Sequence, residues 1–453
     1  MQAILNFFSF INDMGASVMM PIILTIFGVA LGAKFGKALR GGLTVGVGFI
    51  GLNLVVGMMG DSLAPAVQQM AERFGLALST MDVGWPACAA IAFGTSVGLI
   101  IIPLGLLVNI VMLLTNTTQT IDVDIWNYWH FAFTGSLVAV VTGKISYGIL
   151  AAVINMIIVF VLADLTAPKV EEVLGMPGVS LPHGFTAAFV PIALIVDKII
   201  DVIPGVKDID INIDKLQKRF GVFGEPILVG TVLGIIISAL AGYDVKAICN
   251  TGITLGAALV LIPKMAALLM EGLMPISEAA QAFVSKKFQN RGKIYIGLDS
   301  AVGCGHATVL TVALILVPIS LLLAVILPGN TVLPMTDLSV IPYMFVLIVP
   351  LVNGNAFRAL IIGVLCLGCG LEISTNMAEA TTSVARSVGF QIPEGATLIS
   401  SICDGANPLS WILVKANNFG MIGMIVAVVV AVALAVWNRQ RILKEASKLH
   451  TQA

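Results

Sequence analysis

Charge is what this chain has least of. Only 11% of its 453 residues are Asp, Glu, Lys or Arg, whereas 58% are hydrophobic and the mean hydropathy is +1.02. That leaves too little polar material to cover a soluble globule of this length, so a lipid-facing surface is required. A net charge of −1 and the lack of a basic tract remove the electrostatic footprint of a nucleic-acid binder. Histidine is scarce too: four residues with no His-x3-His spacing make no metal-site pattern, and neither a metal nor another cofactor is expected. The six cysteines lie in or beside apolar segments, and the Cys366-Leu-Gly-Cys369 spacing has no second Cys or His pair beside it, so packing is the reading there. No nucleophile–base pair stands out, which disfavours an integral-membrane enzyme. The longest polar stretch, Asp197–Arg219, is too short to fold alone, and Met1–Asn12 lacks a charged leader. Neither a soluble domain nor a cleaved signal peptide is expected.

What the chain does have is long apolar runs. Met14–Ala33, Leu43–Gly60, Val97–Leu114, Ile145–Ala163, Ile248–Met270, Thr308–Leu327 and Phe419–Trp437 approach or reach the roughly 20 residues a helix needs to cross the hydrocarbon core. They are continuous, unlike the short alternating segments of an outer-membrane barrel, and so predict an all-α polytopic membrane protein. The 45 glycines suit close helix contacts and broken transporter helices.

Lys and Arg near span ends mark the cytoplasmic side. Lys34, Lys37 and Arg40 follow the first run, Met1–Asp13 carries no positive residue, and Arg439, Arg441, Lys444 and Lys448 follow the last. The N-terminus is therefore expected outside, the C-terminus inside, and the number of crossings odd. Lys207–Arg219 and Lys286–Lys293 should be cytoplasmic, and Asp61–Asp82 and Ala241–Lys246 should face out.

The halves of the chain resemble each other. Gly42-Leu43-Thr44-Val45-Gly46 reappears as Gly252-Ile253-Thr254-Leu255-Gly256, and Asp61 and Pro65 as Glu271 and Pro275. Pro103, Asp122 and Tyr128 match Pro318, Asp337 and Tyr343, and Leu181-Pro182-His183-Gly184 matches Ile392-Pro393-Glu394-Gly395. Matched loops fall on opposite sides by their charge, which means an inverted repeat with an odd number of crossings in each copy. Five per repeat plus a final span predict about eleven helices.

Polar residues at membrane depth normally face a cavity or one another. They gather here in Gly- and Pro-rich interruptions: Trp85–Gly98, Gly178–Thr186, Leu298–Thr308, Asn353–Arg358, Gly389–Thr397 and Cys403–Pro408. Asp299 either caps the helix that follows it or contacts a ligand. His306 reads as an interior histidine or a site residue. His183 and Glu394 occupy matched turns. Asn353, Asn355 and Asn407 offer amides that suit a polyol hydroxyl, or else form caps and turns. His130, after Trp126, Tyr128 and Trp129, looks like part of an interfacial aromatic belt.

The matched Pro-x-Gly turns, Leu298-Asp299-Ser300-Ala301-Val302-Gly303, Asn353-Gly354-Asn355-Ala356-Phe357-Arg358 and the layout as a whole resemble the membrane-embedded IIC component of the galactitol type of the bacterial phosphotransferase system, a relative of the ascorbate IIC permeases. The resemblance covers essentially the whole chain. It implies a homodimer in the lipid of the inner membrane, with V-motif scaffold spans in 1–75 and 206–290, a mobile core with re-entrant hairpins in 76–205 and 291–415, and a final span and cytoplasmic tail in 416–453. It also implies that a sugar alcohol, galactitol above all, is moved by an elevator-like shift coupled to its phosphorylation by separate IIB and IIA proteins. Carried over from the ascorbate permeases, substrate contact falls on His183 and Asp299. Glu394 then stands where the second half lacks the histidine, and His306, Asn353, Asn355 and Asn407 complete the candidate substrate-binding set. The competing expectation is an ion-coupled secondary transporter with Asp299, Glu394 or Glu372 as the coupling carboxylate.

Overall fold

The computed structural model describes residues 16–73, 79–124, 127–211, 226–287, 293–334, 336–392 and 396–452. In the first half, helices α1 (Ala16–Ala30) and α2 (Phe35–Arg73) precede β1 (Thr80–Asp82), α3 (Gly84–Gly94), α4 (Gly98–Leu114), β2 (Thr120–Asp122), α5 (Tyr128–Thr142), α6 (Ile145–Leu174), β3 (Val179–Ser180), α7 (Gly184–Ala188) and α8 (Val190–Val202). The second half runs α9 (Pro226–Ala241), α10 (Val245–Lys287), β4 (Tyr295–Gly297), a 3-10 turn (Ser300–Gly303), α11 (Ala307–Ile326), β5 (Val332–Leu333), α12 (Ile341–Leu351), α13 (Ala356–Ser387), β6 (Leu398–Ser400) and α14 (Pro408–Ala416). Helix α15 (Gly420–Gln452) closes the chain.

Local chemistry sets several of these boundaries. Gly143 and Gly175 end α5 and α6 in the left-handed conformation at φ +66° and +69°, where a side chain would be strained. Asn355 and Asn407 begin α13 and α14 by accepting the backbone N–H groups of Phe357 and Arg358, and of Leu409 and Ser410. By length and composition, five helices among the described residues could cross a membrane. The pair α3 and α4, bent by 88°, makes a sixth if it counts as one broken span.

One expectation needs correction: the fold is mostly helical but not all-α. Among the described residues, six short strands form two three-stranded parallel sheets, ordered β5-β1-β6 and β2-β4-β3. In each, the middle strand comes from one half of the chain and both flanking strands from the other. Apolar periodicity does not reveal them because they are only two or three residues long. Their physical reason is the one that forces helices elsewhere: backbone away from water must find partners, and where the helix breaks, a neighbouring strand supplies them.

Helices α2 and α10 cross where Gly41 meets Gly272. A Cβ on Gly41 would lie 2.6 Å from the Gly272 carbonyl oxygen, and one on Gly272 2.5 Å from that of Gly41, so only glycine permits the approach. Other glycines on these helices also serve contacts within the chain. A Cβ on Gly42 would come 2.5 Å from Pro21 O in α1, and one on Gly256 2.8 Å from Ile227 O in α9.

Candidate functional site

Both sheets point their strand ends at one buried centre. β3 ends at Ser180, and Leu181-Pro182 lead to His183, the N-cap of α7, whose Nδ1 accepts the Thr186 backbone N–H at 3.3 Å. Gly184 follows because a Cβ there would lie 2.5 Å from that of His130 on α5. β4 ends at Gly297, and Asp299 caps the Ser300–Gly303 turn, its Oδ1 accepting the Ala301 N–H at 2.7 Å. From the other sheet, β6 ends at Ser400 and a turn delivers Asp404. Asp299 donates its own N–H to Asp124 Oδ2 at 3.3 Å, which ties the second-half turn to the first half.

These groups form one continuous chain. Asp404 Oδ2 stands 2.5 Å from His130 Nδ1, His130 Nε2 lies 3.0 Å from His183 Nε2, and His183 Nε2 is 3.7 Å from Asp299 Oδ1. Exposures of 1% for His130, 4% for His183, 9% for Asp299 and 0% for Asp404 place four ionisable side chains together inside an apolar protein, which makes them the candidate site. Thr186 and Ser300 join their hydroxyls at 2.6 Å beside it, linking α7 to the second-half turn. His130 Nδ1, Cys403 Sγ and an Asp404 oxygen also lie within 4.8 Å of one another. The 2.5 Å spacing of His130 and Asp404 is that of a hydrogen bond. Ligands about 2.0–2.2 Å from a tetrahedral ion would stand about 3.4 Å apart.

The structure brings His183, Asp299 and Asn407 together, for Asn407 Nδ2 donates to Asp404 Oδ1 at 3.2 Å and to Gly184 O at 3.1 Å. His306 is half-buried at the N-cap of α11. Asn353 does not join the cluster: it is exposed, with φ +53°, and its Oδ1 accepts from Lys169 Nζ at 2.7 Å. Asn355 acts as a cap, donating to Ile209 O at 2.8 Å.

Glu394 lies outside the described residues, and strand register argues against its match to His183. Val179 and Ser180 pair with Ile296 and Gly297, just as Ile399 and Ser400 pair with Met81 and Asp82. Three residues beyond Ser180 is His183; three beyond Ser400 is Cys403, next to Asp404. The turn similarity and the strand register therefore give His183 different counterparts in the second half.

Two members of the centre were missed. His130 was read with an aromatic belt, yet Tyr128 is 0% and Trp129 2% exposed, so that stretch is core. Asp404 sat in the Cys403–Pro408 interruption from which only Asn407 was singled out. An Asp in an otherwise apolar segment was the available signal.

Residues 9–395 match a family model described as the sugar-specific permease component of the phosphotransferase system, EIIC-GAT type. The chain is 39% identical over 435 residues to the galactitol-specific EIIC component of Escherichia coli strain K12, covering 95% of this chain and 96% of that one. The same figures hold for the galactitol-specific EIIC component of Escherichia coli O157:H7. A protein of strain K12 named only as a permease IIC component is 40% identical over 438 residues, which is 97% of this chain and all of that one.

Proposed function

The chain belongs to the family of sugar-specific permease components of the phosphotransferase system, and from that membership we propose that it binds galactitol at the His183–Asp299 centre and carries it across the inner membrane. It is an integral membrane transport component, and phosphoryl transfer belongs to separate subunits of the system. In this proposal the hexitol is phosphorylated by a phospho-IIB protein, recharged through IIA, as it is translocated. The observation that carries the site is the buried run Asp404–His130–His183–Asp299, drawn from both sheets. A neutral polyol is recognised by donors and acceptors placed at fixed spacing in a dry centre, and this run supplies both.

We read the architecture as two inverted repeats of five crossings and a last span, about eleven in all. The two sheets support it: β1, β2 and β3 stand to β4, β5 and β6 in matching order, and each sheet takes its centre from one repeat and its flanks from the other. Contacts support the charge-based topology. Arg73 Nη1 donates to Leu240 O at 3.2 Å, joining the ends of α2 and α9 on the side assigned outside, and Gln119 Nε2 donates to Lys293 O at 2.8 Å beside Arg441 on the side assigned inside. On this reading 1–75 and 206–290 are scaffold, 76–205 and 291–415 a mobile core, and 416–453 the final span, in a homodimer that works as an elevator.

Uptake into vesicles carrying the purified protein tests the function. With phosphoenolpyruvate and the soluble partners, galactitol should appear inside as its phosphate. Accumulation of unmodified galactitol that an ionophore abolishes would establish an ion-coupled transporter instead.

A further inference from the structure

The hydrogen-bond polarity of His130 and His183 follows from two helix N-termini. At one end, Asn407 Oδ1 accepts the N–H groups of Leu409 and Ser410 at 3.0 and 3.1 Å. That fixes its amide, so Nδ2 faces Asp404 Oδ1 and can only donate, making Asp404 an acceptor. As a carboxylate, Asp404 also accepts the Nδ1–H of His130 at its Oδ2, 2.5 Å away, and a neutral His130 is left with a lone pair on Nε2. At the other end, the Thr186 backbone N–H can only donate, so His183 Nδ1 carries a lone pair and the ring proton sits on Nε2. The two polarities are set independently and meet at the 3.0 Å contact of His183 Nε2 with His130 Nε2. One donor there faces one acceptor. Had either end the opposite polarity, two protons or two lone pairs would confront each other at buried side chains.

We propose that Asn407, Asp404 and His130 are positioning residues for the hydroxyl-binding site, holding His183 as its Nε2–H tautomer so that one donor stands between two acceptors, His130 Nε2 and Asp299 Oδ1. This rests on the reading of His183 and Asp299 as the substrate site. At 3.7 Å, the His183 Nε2 to Asp299 Oδ1 gap is too long for a direct hydrogen bond. A hydroxyl seated there accepts from His183 and donates to Asp299 or His130. An ether or a deoxy position offers no such donor, so the arrangement selects a free hydroxyl.

The test is nitrogen NMR of 15N-histidine-labelled protein in lipid nanodiscs, with galactitol binding measured alongside by calorimetry. Four histidines keep the spectrum tractable, and His306→Gln and His450→Gln assign two of them. The wild type should show His130 protonated on Nδ1 and His183 on Nε2. Asp404→Asn lets an amide donate toward His130. It should break the pairing of the two rings and weaken galactitol binding about ten- to a hundredfold, although His183 and Asp299 are untouched. A wild-type His183 protonated on Nδ1 overturns the proposal without any variant, so it stays testable even if Asp404→Asn fails to fold. So does an Asp404→Asn protein that keeps both tautomers and wild-type affinity. The substrate-site reading fails differently: the tautomers appear as described, but His183→Ala and Asp299→Asn bind galactitol like the wild type.

Discussion

Asp164, buried in α6, is the acceptor that fastens the last helix to the β2–β4–β3 sheet. Its two carboxyl oxygens accept from the Gln119 N–H at 2.9 Å, the Thr120 hydroxyl at 2.7 Å and Asn438 Nδ2 of α15 at 2.7 Å. Substituting Asp164→Ala removes all three acceptor contacts, but the losses differ. Thr120 keeps Ser180 Oγ at 2.8 Å and Asn438 keeps Thr117 O at 3.0 Å, whereas the Gln119 N–H has no other acceptor among the described residues. One orphaned buried donor costs about 1–3 kcal/mol and each weakened bond about 1, which gives roughly 3–5 kcal/mol in all. Equilibrium unfolding of the purified protein in mixed micelles measures it, with Asn438→Ala and the double variant completing a cycle. The Asp164–Asn438 pair should show a coupling of about 1 kcal/mol. A loss below about 0.5 kcal/mol for Asp164→Ala, or a cycle additive within that margin, would refute the assignment of Asp164 as the anchor.

Three further outcomes follow from the geometry. Asp299→Asn and His183→Ala should each weaken galactitol binding about ten- to a hundredfold, while Asn353→Ala, exposed beside Lys169, should stay within about twofold by calorimetry. Leu in place of Gly41 or Gly272 should cut the yield of folded protein in size-exclusion chromatography, whereas Gly57→Leu, with nothing within 4 Å of its Cβ position, should not. An alkaline-phosphatase fusion after Lys448 should be inactive if the C-terminus is cytoplasmic, and high activity there would reverse the topology.

The class of the protein was legible in the sequence because it depends on quantities that sum along the chain. Hydropathy and charge already require lipid contact, and glycine and proline mark where helices break. Asp299 and His183 were within reach for the same reason, since a polar residue in an apolar interruption is conspicuous wherever the chain then goes. The sheets were not legible: a two-residue strand such as Val179–Ser180 has no period to detect, and its pairing with Ile296 and Gly297 joins residues far apart in sequence. That pairing gives His183 a counterpart other than Glu394. Nor did sequence distinguish a belt of aromatics from a buried stretch, because Tyr128, Trp129 and His130 suit both, and only the packing of α5 against its neighbours decided it. The partnership of His130 with Asp404 likewise belongs to the tertiary structure. It joins residues 274 apart in the chain, and a hydrogen bond depends on spacing and direction that composition does not carry.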